Sequence, residues 1–191
     1  MSAAYPVPAA DAPLVVFDFD HTLYDGDSGS HLFKWLIERA GWRWLLALLV
    51  APVAGPMVAF LPTRRAGISV FVWVGSLGVH THAALDALIT TYVAKHAAAI
   101  QARLLPIALE VFRQHRAAGD RVLVATGAPP ALARAILAFA GQDDVPVIGT
   151  LLAPNMGGMG VQRHCHYAMK MQMLRDAGYT QPVAVAYSDS S

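Results

Sequence analysis

Residues 14–23 read Leu14-Val15-Val16-Phe17-Asp18-Phe19-Asp20-His21-Thr22-Leu23, and this run decides the fold. Residues 14–19 are aliphatic, β-branched and aromatic with a single polar interruption, the composition of a strand buried on both faces of a parallel sheet. Asp18 and Asp20 then fall at its carboxyl end, where open α/β sheets bind their ligands. Carboxylates are costly to bury there unless a cation or a reaction requires them. The plainer alternative, an Asp closing the turn after the strand, accounts for one acid and not for the whole string.

Composition bounds what such a strand belongs to. A length of 191 residues allows one domain, or one domain carrying an insertion. With 55% hydrophobic and 14% charged residues, the chain reads as a large core rather than a disordered polymer. A net charge of +1 gives no electrostatic basis for binding nucleic acid. One cysteine, Cys165, leaves no partner for an intrachain disulfide and fits a reducing, cytoplasmic compartment. Residues 1–13 are rich in Ala and Pro and lack the basic start and apolar run of a signal peptide. They read as a disordered lead-in.

After Leu23 comes a turn-rich segment, Tyr24-Asp25-Gly26-Asp27-Ser28-Gly29-Ser30. Ser30 is placed to cap a helix over residues 31–40, with Leu32, Phe33, Leu36 and Ile37 on one face and Gly41 ending it. Residues 41–105 hold no credible strand. Helices are expected over residues 42–50, ending near Pro52, then over 57–61, over 64–78, and as one long Ala-rich element over 81–105. This all-helical stretch stands between the first strand and the next, so residues 25–105 read as an inserted cap that closes over the site. Within it, residues 45–61 carry no charge and lie between Trp42-Arg43-Trp44 and Arg64-Arg65. Aromatic and basic flanks suit membrane contact. The short length and the central Pro52, Gly55 and Pro56 argue instead for two short helices buried in the cap, which is the expected arrangement.

Alternation resumes at Pro106, which suits a helix start. A helix over 107–118 ends at Gly119, and residues 121–126 form the second strand. A helix opens at Pro129-Pro130 and runs to Phe139. Residues 145–151 are the third strand, 155–160 a turn cluster, 167–177 a helix and 183–187 the fourth strand. The pattern predicts an α/β fold: a Rossmann-like doubly wound parallel sheet built from residues 14–24 and 106–191, with an all-helical cap inserted.

Asp18-Phe19-Asp20-His21-Thr22-Leu23 resembles the first motif, D-x-D-x-T, of the haloacid dehalogenase (HAD) superfamily of phosphotransferases. The sequence downstream of this motif is most similar to the phosphoserine-phosphatase-like branch of that superfamily, and the resemblance extends over residues 14–191. It implies that Asp18 attacks phosphorus to form an aspartyl phosphate, and that Asp20 protonates the leaving group and then activates water. Both roles suit carboxyl groups. Thr126-Gly127 resembles the second motif, with the Thr126 hydroxyl donated to a phosphate oxygen and the Gly127 N–H left open to it. Lys170 falls where the third motif places a lysine that pins nucleophile and phosphate. Tyr187-Ser188-Asp189-Ser190 resembles the fourth, which supplies an acid to Mg²⁺. The implied metal donors are the carboxylates of Asp18 and Asp189 and the backbone carbonyl of Asp20, a set of hard oxygens.

Asp27 stands where phosphoserine phosphatases carry an acid that reads the substrate amine; its other reading is a helix cap, the commoner role for an acid at a helix start. Arg64 and Arg65 either reach a substrate carboxylate from the cap or face solvent. His164-Cys165-His166 has no second ligand pair at a zinc spacing, so zinc is not expected.

The expected function is a Mg²⁺-dependent phosphomonoesterase acting on a small phosphorylated metabolite, phosphoserine among the candidates. Two rivals stand: a phosphotransferase or mutase of the same superfamily, and an inactive or membrane-associated remnant. The second arises because the family's fourth motif carries another acid about four residues further on, whereas this sequence ends at Ser191 and reads as truncated.

Overall fold

The computed structural model describes residues 5–9, 11–165 and 168–189; His166, Tyr167, Ser190 and Ser191, and residues 1–4 and 10 of the lead-in, lie outside the described residues. In chain order the first half comprises β1 (Leu14–Asp18), α1 (Ser28–Glu38), α2 (Gly41–Ala59), α3 (Arg64–Ser76), α4 (His82–Lys95), α5 (Ala97–Gln101) and α6 (Pro106–Ala117). The second half comprises β2 (Arg121–Ala125), α7 (Pro130–Leu137), β3 (Val147–Ile148), β4 (Leu151–Asn155), β5 (Gly158–Arg163), α8 (Ala168–Asp176) and β6 (Val183–Tyr187).

Strands β3, β2, β1 and β6 form one sheet in that order, and all three pairings are parallel. The chain steps outward from β1 through β2 to β3, then returns to the far side of β1 for β6. The strand order therefore reverses between β1 and β6, and the crevice at their carboxyl ends is the natural ligand site of such a sheet.

Helices cover both faces. Val15 and Phe17 turn to one side and pack in the main core with Phe112 of α6 and Leu132 and Ile136 of α7. Leu14 and Val16 turn to the other and meet Leu123, Ala125 and Leu174 of α8. Burying each such side chain is worth about 1.5–3 kcal/mol, which is why an almost unbroken apolar run specifies the central strand.

Several local features differ from the sequence expectation, each for a physical reason. α1 begins at Ser28 and not at residue 31, because the Asp27 side chain accepts the Ser30 N–H at 2.7 Å and caps the helix itself. The 81–105 helix is divided at His96, whose backbone leaves helical geometry (φ −111°, ψ 19°) where its ring packs 5.0 Å from Tyr92. Residues 103–105 then run back along the exit of β1. The Asp25 N–H donates to Arg103 O at 2.7 Å, the Leu105 N–H donates to Leu23 O at 3.0 Å, and Tyr24 pairs antiparallel with Leu104. The third strand keeps only Val147 and Ile148 in the sheet. At Gly149 a side chain would meet the Ala128 carbonyl, so only glycine allows the chain to turn off there into the β4–β5 hairpin. Finally, residues 5–9 include a contact not expected of a disordered lead-in: the Arg116 guanidinium lies 3.9 Å from the centre of the Tyr5 ring.

The largest correction concerns residues 42–61. In place of two short buried helices there is one helix, α2, running through Pro52 and Pro56. The prolines are four residues apart, so the donor lost at Pro56 is the one that would have met the Pro52 carbonyl, and the rest of the ladder carries on. Nor is the helix buried. Within α2 only Ala54 is buried, whereas Leu45, Leu49 and Val53 are 68%, 76% and 69% exposed. Among the described residues this is the one helix long and apolar enough to cross a membrane.

α2 is held by α3, and the approach is closest at Gly67, where a Cβ would come within 2.7 Å of Val58 N and 2.9 Å of Ala54 O. The hairpin β4–β5 docks on the same helix. The Val161 N–H donates to Ser69 Oγ at 3.0 Å, the Met159 N–H to Ser76 Oγ at 2.8 Å, and Trp73 Nε1 to Met156 O at 3.0 Å. The elements between Ser28 and Gln101 are all helical, and a hairpin from the second half of the chain packs against them.

Gly67→Ala is expected to cost about 1–3 kcal/mol through overpacking and to loosen α2 first. The checks are thermal melting and limited proteolysis, with new cleavage confined to residues 41–63; an unchanged melting point and digest would refute the close-approach argument.

Candidate active site

Asp18 ends β1. Its Oδ1 accepts the Phe19 N–H at 2.8 Å, and its Oδ2 accepts from Lys170 Nζ at 2.9 Å. Lys170 comes from α8 on the opposite side of the sheet from α6 and α7, so the ion pair depends on the whole second half of the chain being in place. Both side chains are largely shielded, 21% and 17% exposed for Lys170 and Asp18. A pair in such a setting is screened less than a surface pair and is correspondingly stronger.

Asp20 follows in a compact turn. The N–H groups of Leu23 and Tyr24 both donate to Phe19 O, and the His21 N–H donates to Tyr24 O at 2.7 Å. His21 sits at φ 59°, a left-handed conformation that costs a non-glycine residue about 1–2 kcal/mol. The turn swings the Asp20 carboxylate into the protein, where Oδ1 accepts the Ser28 N–H at 2.7 Å and Oδ2 accepts the Thr126 hydroxyl at 2.9 Å. Burial raises the Asp20 carboxyl above its ordinary value, outweighing the hydrogen bonds from Ser28 and Thr126 that lower it. A carboxyl raised in this way holds its proton more strongly, which favours a general-acid role.

Thr126 is thus engaged differently from the sequence expectation. Its hydroxyl donates to Asp20 and accepts the Ala128 N–H at 3.0 Å, and so orients the second acid while standing behind the site. Gly127, next along, lines the cavity directly. Asp27 also lines it, while serving as the cap of α1. Asp189, two residues beyond β6, completes the rim: Asp18, Asp20, Asp27, Gly127, Lys170 and Asp189 all border one cavity of about 1200 Å³.

The donor set has the chemistry of a hard divalent cation. Asp18 at the end of β1 and Asp189 just beyond β6, on adjacent parallel strands, are the side chains that could hold such an ion, and the Asp20 main-chain carbonyl is the third donor the family resemblance implies. Two carboxylates and one carbonyl leave room in an octahedron for phosphate and water, as Mg²⁺ prefers. Among the described residues no group of three or more His, Cys, Asp and Glu side chains gathers as a metal cage.

Sequence reasoning did not find the far wall of the cavity. Phe33 and Ile37 of α1, Trp44 and Leu48 of α2, and Ile68 and Phe71 of α3 line it. The signal is present in the uncharged run over residues 45–61, whose sequence reads as cap interior; one side of it faces the cavity and the other faces outward. Arg64 reaches the same wall with its Nε donating to Val58 O at 3.0 Å, whereas Arg65 ties α3 to the hairpin by donating to Gln162 O at 2.7 Å. His164 borders the cavity with Nδ1 3.0 Å from Thr150 Oγ1. The neighbouring Cys165 is buried and its thiol is pushed up to about 11, mainly by desolvation, so it is not a reactive thiolate.

Comparison with known proteins agrees with this geometry at the level of fold. A search of curated proteins finds no match to this sequence. Among solved structures, a protein of unknown function from Bordetella pertussis Tohama I superimposes with a TM-score of 0.64 at 21% identity, over 88% of this chain and 76% of that one. Cytosolic 5'-nucleotidase IIIB, in complex with cytidine, superimposes with a TM-score of 0.51 at 16% identity over 79% of this chain; the match spans about half, 53%, of the nucleotidase. Phosphoserine phosphatase from T. onnurineus is more distant, with a TM-score of 0.44, 14% identity and coverage of 86% and 71%. The family model for haloacid dehalogenase-like hydrolases matches residues 15–191, from the second residue of β1 onward, and the chain belongs to that family.

Proposed function

We propose that the chain is a Mg²⁺-dependent phosphomonoester hydrolase working through an aspartyl phosphate on Asp18. The observation that carries this reading is the pairing of Lys170 with Asp18 at 2.9 Å beside a second carboxyl, Asp20, whose proton affinity is raised by burial. Lys170 lowers the cost of bringing an anionic phosphate up to an anionic nucleophile. An Asp18 oxygen attacks phosphorus, the bond to the ester oxygen breaks, and the leaving oxygen takes the proton held by Asp20. Asp20, now a carboxylate, removes a proton from water. That water attacks the phosphoryl group, releasing inorganic phosphate and restoring Asp18. The Ser28 N–H and Thr126 hydroxyl hold Asp20 before the reaction; the carboxyl turns one oxygen toward the leaving group to deliver its proton, and the Gly127 N–H is a donor for the phosphoryl oxygens. Asp18, Asp189 and the Asp20 carbonyl would hold Mg²⁺, which when bound neutralises charge on the transferring group.

The walls of the cavity bear on the substrate. Of the groups that could read the ammonium and carboxylate of phosphoserine, Asp27 is engaged as a helix cap and Arg65 with the hairpin, while Arg64 reaches the cavity with its Nε bonded to Val58 O. The opposite wall is aromatic and aliphatic. A phosphomonoester with a large apolar substituent fits that space better than a small amino acid ester. The exposed face of α2, with Trp42 and Trp44 near its start and Arg64 and Arg65 beyond its end, favours a second element of the reading, that this face contacts a membrane surface.

A panel of phosphomonoesters, from phosphoserine to alkyl phosphates of increasing chain length, tests the assignment by phosphate release with and without Mg²⁺. Release is expected to need Mg²⁺, to favour the longer chains and to disappear in Asp18→Asn. Full turnover in Asp18→Asn would refute the mechanism. Phosphate delivered to an acceptor other than water would replace hydrolysis with transfer.

Lys170→Met is expected to lower kcat by about 10²–10³-fold, the usual loss on removing one preorganised charge-stabilising donor. An unchanged kcat would remove Lys170 from the site.

A further inference from the structure

β6 is an edge strand of the sheet, and the chain just beyond it carries an acid of the site. It pairs with β1 alone, its register with β1 slips near Leu14, and its middle residues, Ala184, Val185 and Ala186, are exposed. Two residues beyond its last position stands Asp189. What fixes the end of this strand is Tyr187, which lies opposite Phe17 in the β1 register. The two rings stack at 4.4 Å with 14° between their planes. The Tyr187 hydroxyl reaches across to α6 and meets His115 Nε2 at 2.9 Å, while His115 Nδ1 meets Asp120 Oδ2 at 2.7 Å.

The hydrogen-bond directions come from the chemistry. A carboxylate only accepts, so Nδ1 carries a proton toward Asp120, and Nε2 and the Tyr187 hydroxyl share the second hydrogen bond. Both His115 and Asp120 are well shielded, 22% and 18% exposed. None of the three belongs to the groups assigned to phosphoryl transfer. They form a strut from the body of the domain to the edge strand, ending two residues before the acid.

We propose that His115, oriented by Asp120 and bonded to the Tyr187 hydroxyl, is a positioning residue that sets where the end of β6 presents Asp189 to the divalent cation. This rests on the reading of Asp189 as a metal ligand. Outer partners of metal ligands commonly tune affinity by 10–100-fold; a strut one step further out is expected to shift it by about three- to tenfold.

The test is Mn²⁺ binding to the full chain without substrate, measured by calorimetry on wild type, Tyr187→Phe, His115→Ala and Arg116→Ala, together with each melting temperature. Tyr187→Phe keeps the ring stack and removes only the hydroxyl. Arg116 lies on the same helix and ties it to Gln142 and Asp144, remote from β6, so Arg116→Ala is the control for a general loosening of α6. The expected result is a three- to tenfold weaker Mn²⁺ dissociation constant in Tyr187→Phe and His115→Ala and an unchanged one in Arg116→Ala. Binding within twofold of wild type in both strut variants overturns the proposal, as does an equal weakening in Arg116→Ala. Wild type that binds no Mn²⁺ overturns the metal assignment of Asp189 and the strut with it, whereas tight wild-type binding with unaffected variants overturns the strut alone.

Discussion

An ionised carboxylate at the end of a buried strand is destabilising until something answers its charge, and in this chain the answer to Asp18 is Lys170. The two residues are separated by 152 positions, and joining them requires that β2, α7, the hairpin and α8 all be placed before the contact can close. The nucleophile is consequently neutralised only in the completed fold. Asp20 is treated in the opposite way. It receives neutral donors and no cation, so desolvation dominates and its proton is retained more strongly. Two acids spaced two apart are given different partners by their surroundings, a lysine for one and neutral donors for the other.

The layer over the sheet edge obeys a different logic. Its contacts with itself are close, as Gly67 shows, but its outward face is apolar and open to the exterior. In water an apolar helix face that large is a liability unless it meets a partner or a lipid surface. The same helix supplies Trp44 and Leu48 to the cavity. One element thus stands between the interior of the site and the exterior, with apolar side chains on both sides.

Much of the core was legible in the sequence because its signals are local. A continuous apolar run in β1, Pro106 at a helix start and the apolar residues of β2 each specify their element without outside help. The first-motif acids and Lys170 were legible for a different reason: their order along the chain matches a known pattern. What was not legible depended on tertiary balance. Pro52 and Pro56 break an isolated helix, yet here the lost hydrogen bonds fall along one side and α3 supports the rest. Thr126 reads as a phosphate donor until Asp20 is seen to fold back on to it. The strut through His115 had no signal at all, since it joins residues 72 positions apart by side-chain contacts that no periodicity records.

The paired backbone segments at Leu23–Asp25 and Arg103–Leu105 carry a consequence of their own. They bring the departure and return points of nearly eighty intervening residues side by side, linked by main-chain hydrogen bonds that do not depend on side-chain identity. Whatever lies between them can grow, shrink or be exchanged without asking the sheet to rewire. Substrate range in such an architecture can change with the segment between these points, provided its first residues still supply the Asp27 cap and the Ser28 N–H that holds Asp20.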